Sequence, residues 1–113
     1  VEHLVLDGLA RRVMEVPILD AALTFYGRSN YHVFVLDISD EVALDRLRAR
    51  SRGDDKDNEA GMKSKLAWYR ENVVPCINAF EDMGRMVHHI NGEQSIEAIH
   101  QDILAVLGIT KGA

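Results

Sequence analysis

Short apolar runs alternate along this chain with longer segments of helical periodicity. Residues 31–38 form the clearest apolar run, which is rich in β-branched and aromatic residues and is bounded by Ser-Asn and Ser-Asp turns, as is typical of a strand. Similar runs at residues 3–6 and 86–90 predict two more strands. Strands that alternate with helices form parallel sheets through right-handed crossovers, so the order predicts an α/β fold with about three parallel strands.

Four segments carry helical periodicity. Helices are expected over residues 14–26, after Ser39, over residues 62–83 with a kink or division at Pro75, and after Ser95. The side chains expected to face the core from the second and fourth helices are Val42, Leu44, Leu47, Ile96, Ile99, Ile103 and Leu107. Three strands are few, and residues 1–6 would leave an open edge that must be covered or paired. We therefore expect part of a larger α/β domain, completed by a further segment, a partner chain or a second copy.

Charge and cysteine content narrow the functional classes. The net charge of -5 argues against nonspecific nucleic-acid binding. The single cysteine, Cys76, excludes an internal disulfide and fits a reducing, cytoplasmic compartment; because it lies on an apolar helix face, we expect it in the core. No apolar run approaches the length of a membrane span, so we expect no membrane partner.

Four arginines lie within the seven positions 46–52, and two carboxylates follow after Gly53. Arg46 and Arg50 are four residues apart and share a helix face, and Arg52 lies just beyond. Guanidinium groups suit bidentate recognition of phosphate oxygens, and Asp54 and Asp55 could hold them in place. The alternative interpretation is a solvated charge run that neutralises itself.

Four motifs follow one another in the chain. They are Leu6-Asp7-Gly8-Leu9-Ala10-Arg11, Asp37-Ile38-Ser39-Asp40-Glu41-Val42 with Asp45-Arg46, Arg52-Gly53-Asp54-Asp55 with Lys65-Leu66-Ala67-Trp68-Tyr69, and Ile90-Asn91-Gly92. In order and spacing they resemble motifs of the nucleoside monophosphate kinases, adenylate kinase most closely. The resemblance covers nearly the whole chain. It implies a three-layer, P-loop kinase-like parallel sheet with flanking helices, of which residues 1–113 form the carboxyl-terminal part.

The resemblance also implies a reaction, the transfer of a phosphoryl group from ATP to a nucleoside monophosphate with Mg²⁺ (ATP + AMP = 2 ADP for adenylate kinase). It implies that Arg11 binds the acceptor phosphate, that Glu15 lies at the acceptor base, and that Asp7 holds magnesium through water. It also implies that Arg46 packs on the donor adenine. The backbone of Gly92, Gln94 and Ile96 would contact the donor base. The phosphates in transfer would be bound by Arg50, Arg52 and Lys65. Asp54 and Asp55 would orient the arginines.

The chain departs from the family pattern at several positions. One residue separates Arg50 from Arg52 where the family inserts a lid, which indicates a short-lid type. Lys65 stands at the second catalytic arginine, and Glu15 replaces a base-reading glutamine. No Gly-x-x-x-x-Gly-Lys motif is present, so the phosphate loop would come from a segment outside these residues and the chain alone would be inactive.

Other interpretations stay open at this point. The chain could be a noncatalytic nucleotide-binding or assembly module, or part of another P-loop phosphotransferase. Arg11 could instead pair with Glu15, one helical turn away. His88 and His89 are neighbours on a predicted strand and face opposite sides, so they are not expected to chelate one metal ion.

Overall fold

Helices flank a small parallel sheet in a computed structural model that describes residues 3–50 and 59–109. The elements are α1 (Glu15–Phe25), β1 (His32–Asp37), α2 (Asp40–Arg50), α3 (Glu59–Trp68), a π-helical turn (Tyr69–Val73), α4 (Val74–Asp82), β2 (Met86–Asn91) and α5 (Ile96–Leu107). In these two ranges, none of the helices has the length and apolar character needed to cross a membrane.

The sheet has two strands in the described part of the chain. β1 and β2 pair in parallel, with His32 opposite Met86 and Asp37 opposite Asn91. This confirms the α/β class and the parallel sheet. The strand predicted at residues 3–6 was wrong, because this segment has no strand structure and its apolar side chains are exposed. A strand forms only where a neighbour supplies ladder hydrogen bonds, and neither strand of the sheet pairs with this segment.

The core lies between α1, α4 and one face of the sheet. Its buried members are Ala10, Val16, Cys76 and Phe80, with Leu19, Tyr31, Val33, Ala79 and Val87 packed against them. Cys76 is 2% exposed, which confirms its predicted place in the core. Burial raises the pKa of its thiol, as expected for a thiolate that would lose solvation.

The predicted core faces of α2 and α5 were wrong in part. Neither helix contains a buried residue, and Ile96 is 87% exposed. Ile99 and Ile103 are only half-buried. α5 packs on β2, and a sheet of two strands is too narrow to cover the whole apolar face of a helix of this length.

The long helix predicted over residues 62–83 begins earlier, at Glu59, and is divided at the π-helical turn. Pro75 lies in the first turn of α4. In a regular α-helix its ring would clash with the carbonyl of Glu71 and its nitrogen could not donate. The wider π turn accommodates this position, so the predicted division at Pro75 is confirmed.

Three polar side chains join α1 to the amino-terminal ends of both strands. The Tyr31 hydroxyl donates to Asp20 Oδ1 at 2.6 Å, and Arg85 Nε donates to the same oxygen at 2.8 Å. Arg85 Nη1 also donates to the Ser29 carbonyl at 3.1 Å. Burial and the bond to Asp20 raise the pKa of Tyr31 to about 12, while the bonds from Tyr31 and Arg85 lower the pKa of Asp20.

Candidate functional site

The carboxyl ends of β1 and β2 lie side by side, with Asp37 opposite Asn91. The loops after the strands are tied together, because Gly92 N donates to Asp37 O at 2.8 Å and Ser39 N donates to Glu93 Oε2 at 3.0 Å. α2 and α5 both start from this edge. Ligands of open α/β sheets bind beyond the carboxyl ends of the strands, so this edge is the candidate site.

Gly92 occupies the tightest position at this edge. An added Cβ would lie 2.8 Å from Ile38 Cγ2, 3.2 Å from Asp37 O and 3.3 Å from Leu36 Cβ, so steric contact demands glycine. Arg46 Nη2 donates to the Gly92 carbonyl at 2.8 Å. The structure thus brings together Arg46 and Gly92, which the sequence motifs had placed at the same donor-base site.

Serine residues begin the two helices that leave the edge. Ser39 Oγ accepts from Val42 N at 3.2 Å, and Ser95 Oγ accepts from Ala98 N at 3.1 Å. Each serine satisfies a backbone donor that the first helical turn leaves free. Gln94 lies before this second cap, and its side-chain amide donates to Asp102 Oδ2 at 2.5 Å. The half-buried Gln94 is therefore held on α5, and its neighbour Ile96 faces solvent.

Arg11 contacts Trp68 of α3. The Arg11 guanidinium carbon lies 4.9 Å from the ring centroid, and that of Arg12 lies 5.9 Å from it. Both distances fall within the range of cation–π contacts. No ion pair joins Arg11 to Glu15 in the described ranges, and the half-buried Glu15 is the first residue of α1. The alternative that Arg11 pairs with Glu15 is therefore not supported.

The remaining predicted site residues that the structure describes lie on α2, on α3 and in the segment before α1. Arg50 is the last residue of α2 and is exposed, and α2 packs against α3. Lys65 lies on α3, three residues before Trp68 and hence on the same helix face. Asp7 is exposed in the segment before α1. The predictions for Arg52, Asp54 and Asp55 lie outside the described residues.

Sequence reasoning missed a second group of side chains near the strand ends. His89 Nδ1 lies 3.0 Å from Asp37 Oδ2, and His89 Nε2 lies 3.5 Å from Glu81 Oε1. The adjacent His88 contacts His32 instead, at 2.9 Å, so the two neighbouring histidines do face opposite sides. Burial and then the charge of Asp37 raise the pKa of Tyr69. Only the strand register, which sequence does not give, could have paired Asp37 with His89.

Metal ligands are not gathered in the described ranges, where no three His, Cys, Asp or Glu side chains come into position to hold an ion.

The cation–π contacts of Trp68 were also not predicted from the sequence. The signal available for them was the spacing of Trp68 from Lys65, which places the ring beside a proposed site residue.

Curated proteins similar to this chain carry the name adenylate kinase. Adenylate kinase 1 of Synechocystis sp. is 35% identical over 95 residues, covering 84% of the chain and 49% of that relative. Adenylate kinase 1 of Nostoc sp. is 34% identical over 104 residues, which cover 92% of the chain and 55% of that relative. Adenylate kinase of Parasynechococcus marenigrum is 36% identical over 102 residues, covering 90% and 54%. The chain is a homologue of the adenylate kinases.

The chain spans about half the length of these adenylate kinases and matches their carboxyl-terminal part. The homology, together with the parallel sheet and its flanking helices, gives the chain a P-loop kinase-like α/β fold. No protein-family model matches the chain. No solved structure matches it either.

Proposed function

We propose that the chain is the carboxyl-terminal part of an enzyme that transfers the γ-phosphoryl group of ATP to a nucleoside monophosphate, as in ATP + AMP = 2 ADP. The observation that carries this proposal is the bond from Arg46 to the Gly92 carbonyl across the strand ends. It joins two of the motif positions at the sheet edge where α/β proteins bind ligands. The names of the relatives support a nucleotide kinase.

The donor base would lie against Arg46. A guanidinium that donates along its edge keeps its planar face available for stacking on an aromatic ring. The bond to Gly92 therefore holds Arg46 in an orientation in which it can pack on adenine. Backbone groups of Gly92, Gln94 and Ile96 would contact the base, and Ser95 caps α5 within the same segment.

The acceptor would bind through Arg11, whose guanidinium suits a phosphate, and Glu15 would face its base. A glutamate carboxylate accepts hydrogen bonds from an exocyclic amine and donates none. We therefore propose that Glu15 favours bases that carry an exocyclic amine, namely adenine, cytosine or guanine, over uracil.

The transfer step would be carried by positive charge. Phosphoryl transfer requires positioning and charge stabilisation rather than a protein nucleophile. Arg50 and Lys65 lie on α2 and α3, which pack together, and would bind the phosphates with Arg52. Asp54 and Asp55 would orient these cations.

Magnesium would neutralise charge on the donor phosphates when it is bound. Mg²⁺ keeps several of its waters and takes few protein ligands. A single exposed carboxylate, Asp7, fits a contact made through water. We place the enzyme in the cytoplasm, with a segment outside these residues that supplies the phosphate loop.

The first test is turnover of the natural protein that carries this sequence, measured with ATP and AMP. Arg50→Ala is expected to lower kcat by about a thousand-fold, because a transition-state arginine contributes on that order. Arg48→Ala is the matched control, since Arg48 lies on the same helix but pairs with Asp45 at 3.0 Å; its turnover should stay unchanged. Arg11→Ala is expected to raise the KM for AMP.

Two results would contradict the proposal. Unchanged turnover in both Arg50→Ala and Arg11→Ala would exclude these arginines from the chemistry. Nucleotide binding without turnover would favour a noncatalytic binding module.

A comparison of turnover with AMP, CMP, GMP and UMP as acceptors, repeated with Glu15→Gln, separates an adenylate kinase from another phosphotransferase.

A further inference from the structure

Trp68 lies against two arginines that are neighbours in sequence. The guanidinium carbons of Arg11 and Arg12 lie 4.9 Å and 5.9 Å from its ring centroid. The ring is half-buried, whereas both arginines are exposed. One aromatic ring on α3 thus holds two cations from the segment that precedes α1.

Among the described residues, no carboxylate forms an ion pair with either of the two cations, Arg11 and Arg12. Two positive charges against one ring repel each other, and an anion that binds both removes this repulsion. The arrangement therefore favours a ligand with more than one negative charge, such as a phosphate monoester.

Stacking and phosphate binding use different parts of a guanidinium. The planar face contacts an aromatic ring, while the N–H donors lie in the plane and point away from it. Both arginines can therefore remain on Trp68 while they donate to phosphate oxygens. The ring restricts the orientations of the two long side chains before the ligand arrives, which reduces the cost of ordering them.

We propose that Trp68 is a positioning residue for a two-arginine clamp in which Arg12 binds the acceptor phosphate beside Arg11. The inference rests on the proposed function for the role of Arg11. It adds Arg12, to which the sequence motifs assign no role, and it gives Trp68 a role other than packing.

Trp68 is the only tryptophan of the chain, so its fluorescence reports on the clamp directly. The chain is titrated with AMP, with inorganic phosphate and, as a control, with adenosine. AMP and phosphate are expected to change the emission in a saturable way, and adenosine is not. The same change with adenosine, or no change with AMP, would overturn the clamp.

Arginine variants then test the second cation. Arg12→Ala is expected to weaken AMP binding about ten-fold or more, because charge-assisted hydrogen bonds are lost. Arg12→Lys should recover part of this loss, since it keeps the charge but not the fork. The control is Arg28→Lys, a charge-conserving change of an exposed arginine beyond α1. Arg12→Ala with the affinity of the unchanged chain would exclude Arg12.

Variants of the ring separate positioning from packing. Trp68→Leu is expected to weaken AMP binding by about two- to five-fold in calorimetry, the worth of an exposed cation–π contact, and Trp68→Tyr should restore it. ATP affinity and the urea midpoint of unfolding should stay unchanged for Trp68→Tyr. If Trp68→Tyr and Trp68→Leu weaken AMP binding equally, the ring acts only by packing and the proposal fails.

Failure of the clamp is distinct from failure of the proposed reaction. If the natural protein turns over AMP while Trp68→Leu and Arg12→Ala leave its KM unchanged, the clamp is overturned and the reaction stands. If AMP binds as described but no phosphoryl transfer occurs, the reaction is overturned and the clamp stands.

Discussion

At the scale of single residues, Gly92 and Arg46 hold the loop after β2 against the end of β1. Gly92 lies where a side chain would meet the end of β1, and its carbonyl accepts from Arg46. The sequence motifs predict a nucleotide-binding role for both positions. The steric reason for the glycine is visible only in the structure, because Ile38 and Gly92 are far apart in the chain.

Gly92→Ala is expected to destabilise the chain by about 1–3 kcal/mol, the usual cost of overpacking. The new methyl group would lie 2.8 Å from Ile38 Cγ2 and 3.2 Å from the Asp37 carbonyl, and backbone oxygen cannot move aside cheaply. Urea unfolding measures the change. In a double-mutant cycle, Ile38→Ala should relieve part of the cost. Equal stability of Gly92→Ala and the unchanged chain would refute the close approach.

At the scale of elements, the polar cluster of Asp20, Tyr31 and Arg85 fixes α1 against both strands. The helices and the two strands were predicted from periodicity and caps, which are local properties. The cluster was not predicted, since its members come from three separate parts of the chain and meet only when α1 packs on the sheet. Because the pKa values of Asp20 and Tyr31 are shifted, the contribution of the cluster to the free energy of unfolding depends on pH.

Tyr31→Phe is expected to lower the free energy of unfolding at pH 7 by about 1–3 kcal/mol, because Asp20 loses a hydrogen bond to its charge. The pKa of Tyr31 is raised from 10.0 to about 12 in the folded chain. The contribution of the Tyr31 hydroxyl to the free energy of unfolding is therefore fully present below about pH 10 and is lost as the pH rises towards 12. The free energies of unfolding of the chain and of the Tyr31→Phe variant should converge over that pH interval. Tyr26→Phe, at an exposed tyrosine, is the control.

At acid pH the stability of the chain depends on pH in the opposite direction. The pKa of Asp20 is lowered in the folded chain, so its contribution is present above its unfolded pKa of about 3.9 and is lost as the pH falls through the folded value. Asp20→Asn should flatten this part of the stability curve. A curve as steep as that of the unchanged chain would show that another carboxylate is responsible.

At the scale of the whole molecule, the described chain exposes much apolar surface. Leu4, Val5 and Leu6 are exposed before α1, and Leu36 is 48% exposed on β1. A sheet of two strands is marginal by itself. Ile96, which periodicity assigned to the core, is exposed in the described part of the chain. The chain spans about half the length of the adenylate kinases that it matches.

The 113 residues alone are expected to show no phosphoryl transfer from ATP to AMP, because they contain no Gly-x-x-x-x-Gly-Lys motif to bind the donor phosphates. A coupled assay for ADP measures this. The natural protein that carries the sequence, assayed in parallel, is the positive control. Turnover by the 113 residues that Arg50→Ala abolishes would show that another segment binds the donor phosphates.

The sequence by itself determined the α/β class, the order of elements from α1 onward, the division near Pro75 and the kinase-like motif positions, because periodicity, caps and prolines act over a few residues. Only the tertiary structure decided that residues 3–6 form no strand, that Ile96 is exposed, and that Asp37 meets His89 and Arg11 meets Trp68. These outcomes depend on strand register and on which surfaces find a partner, and both are set by contacts between distant parts of the chain.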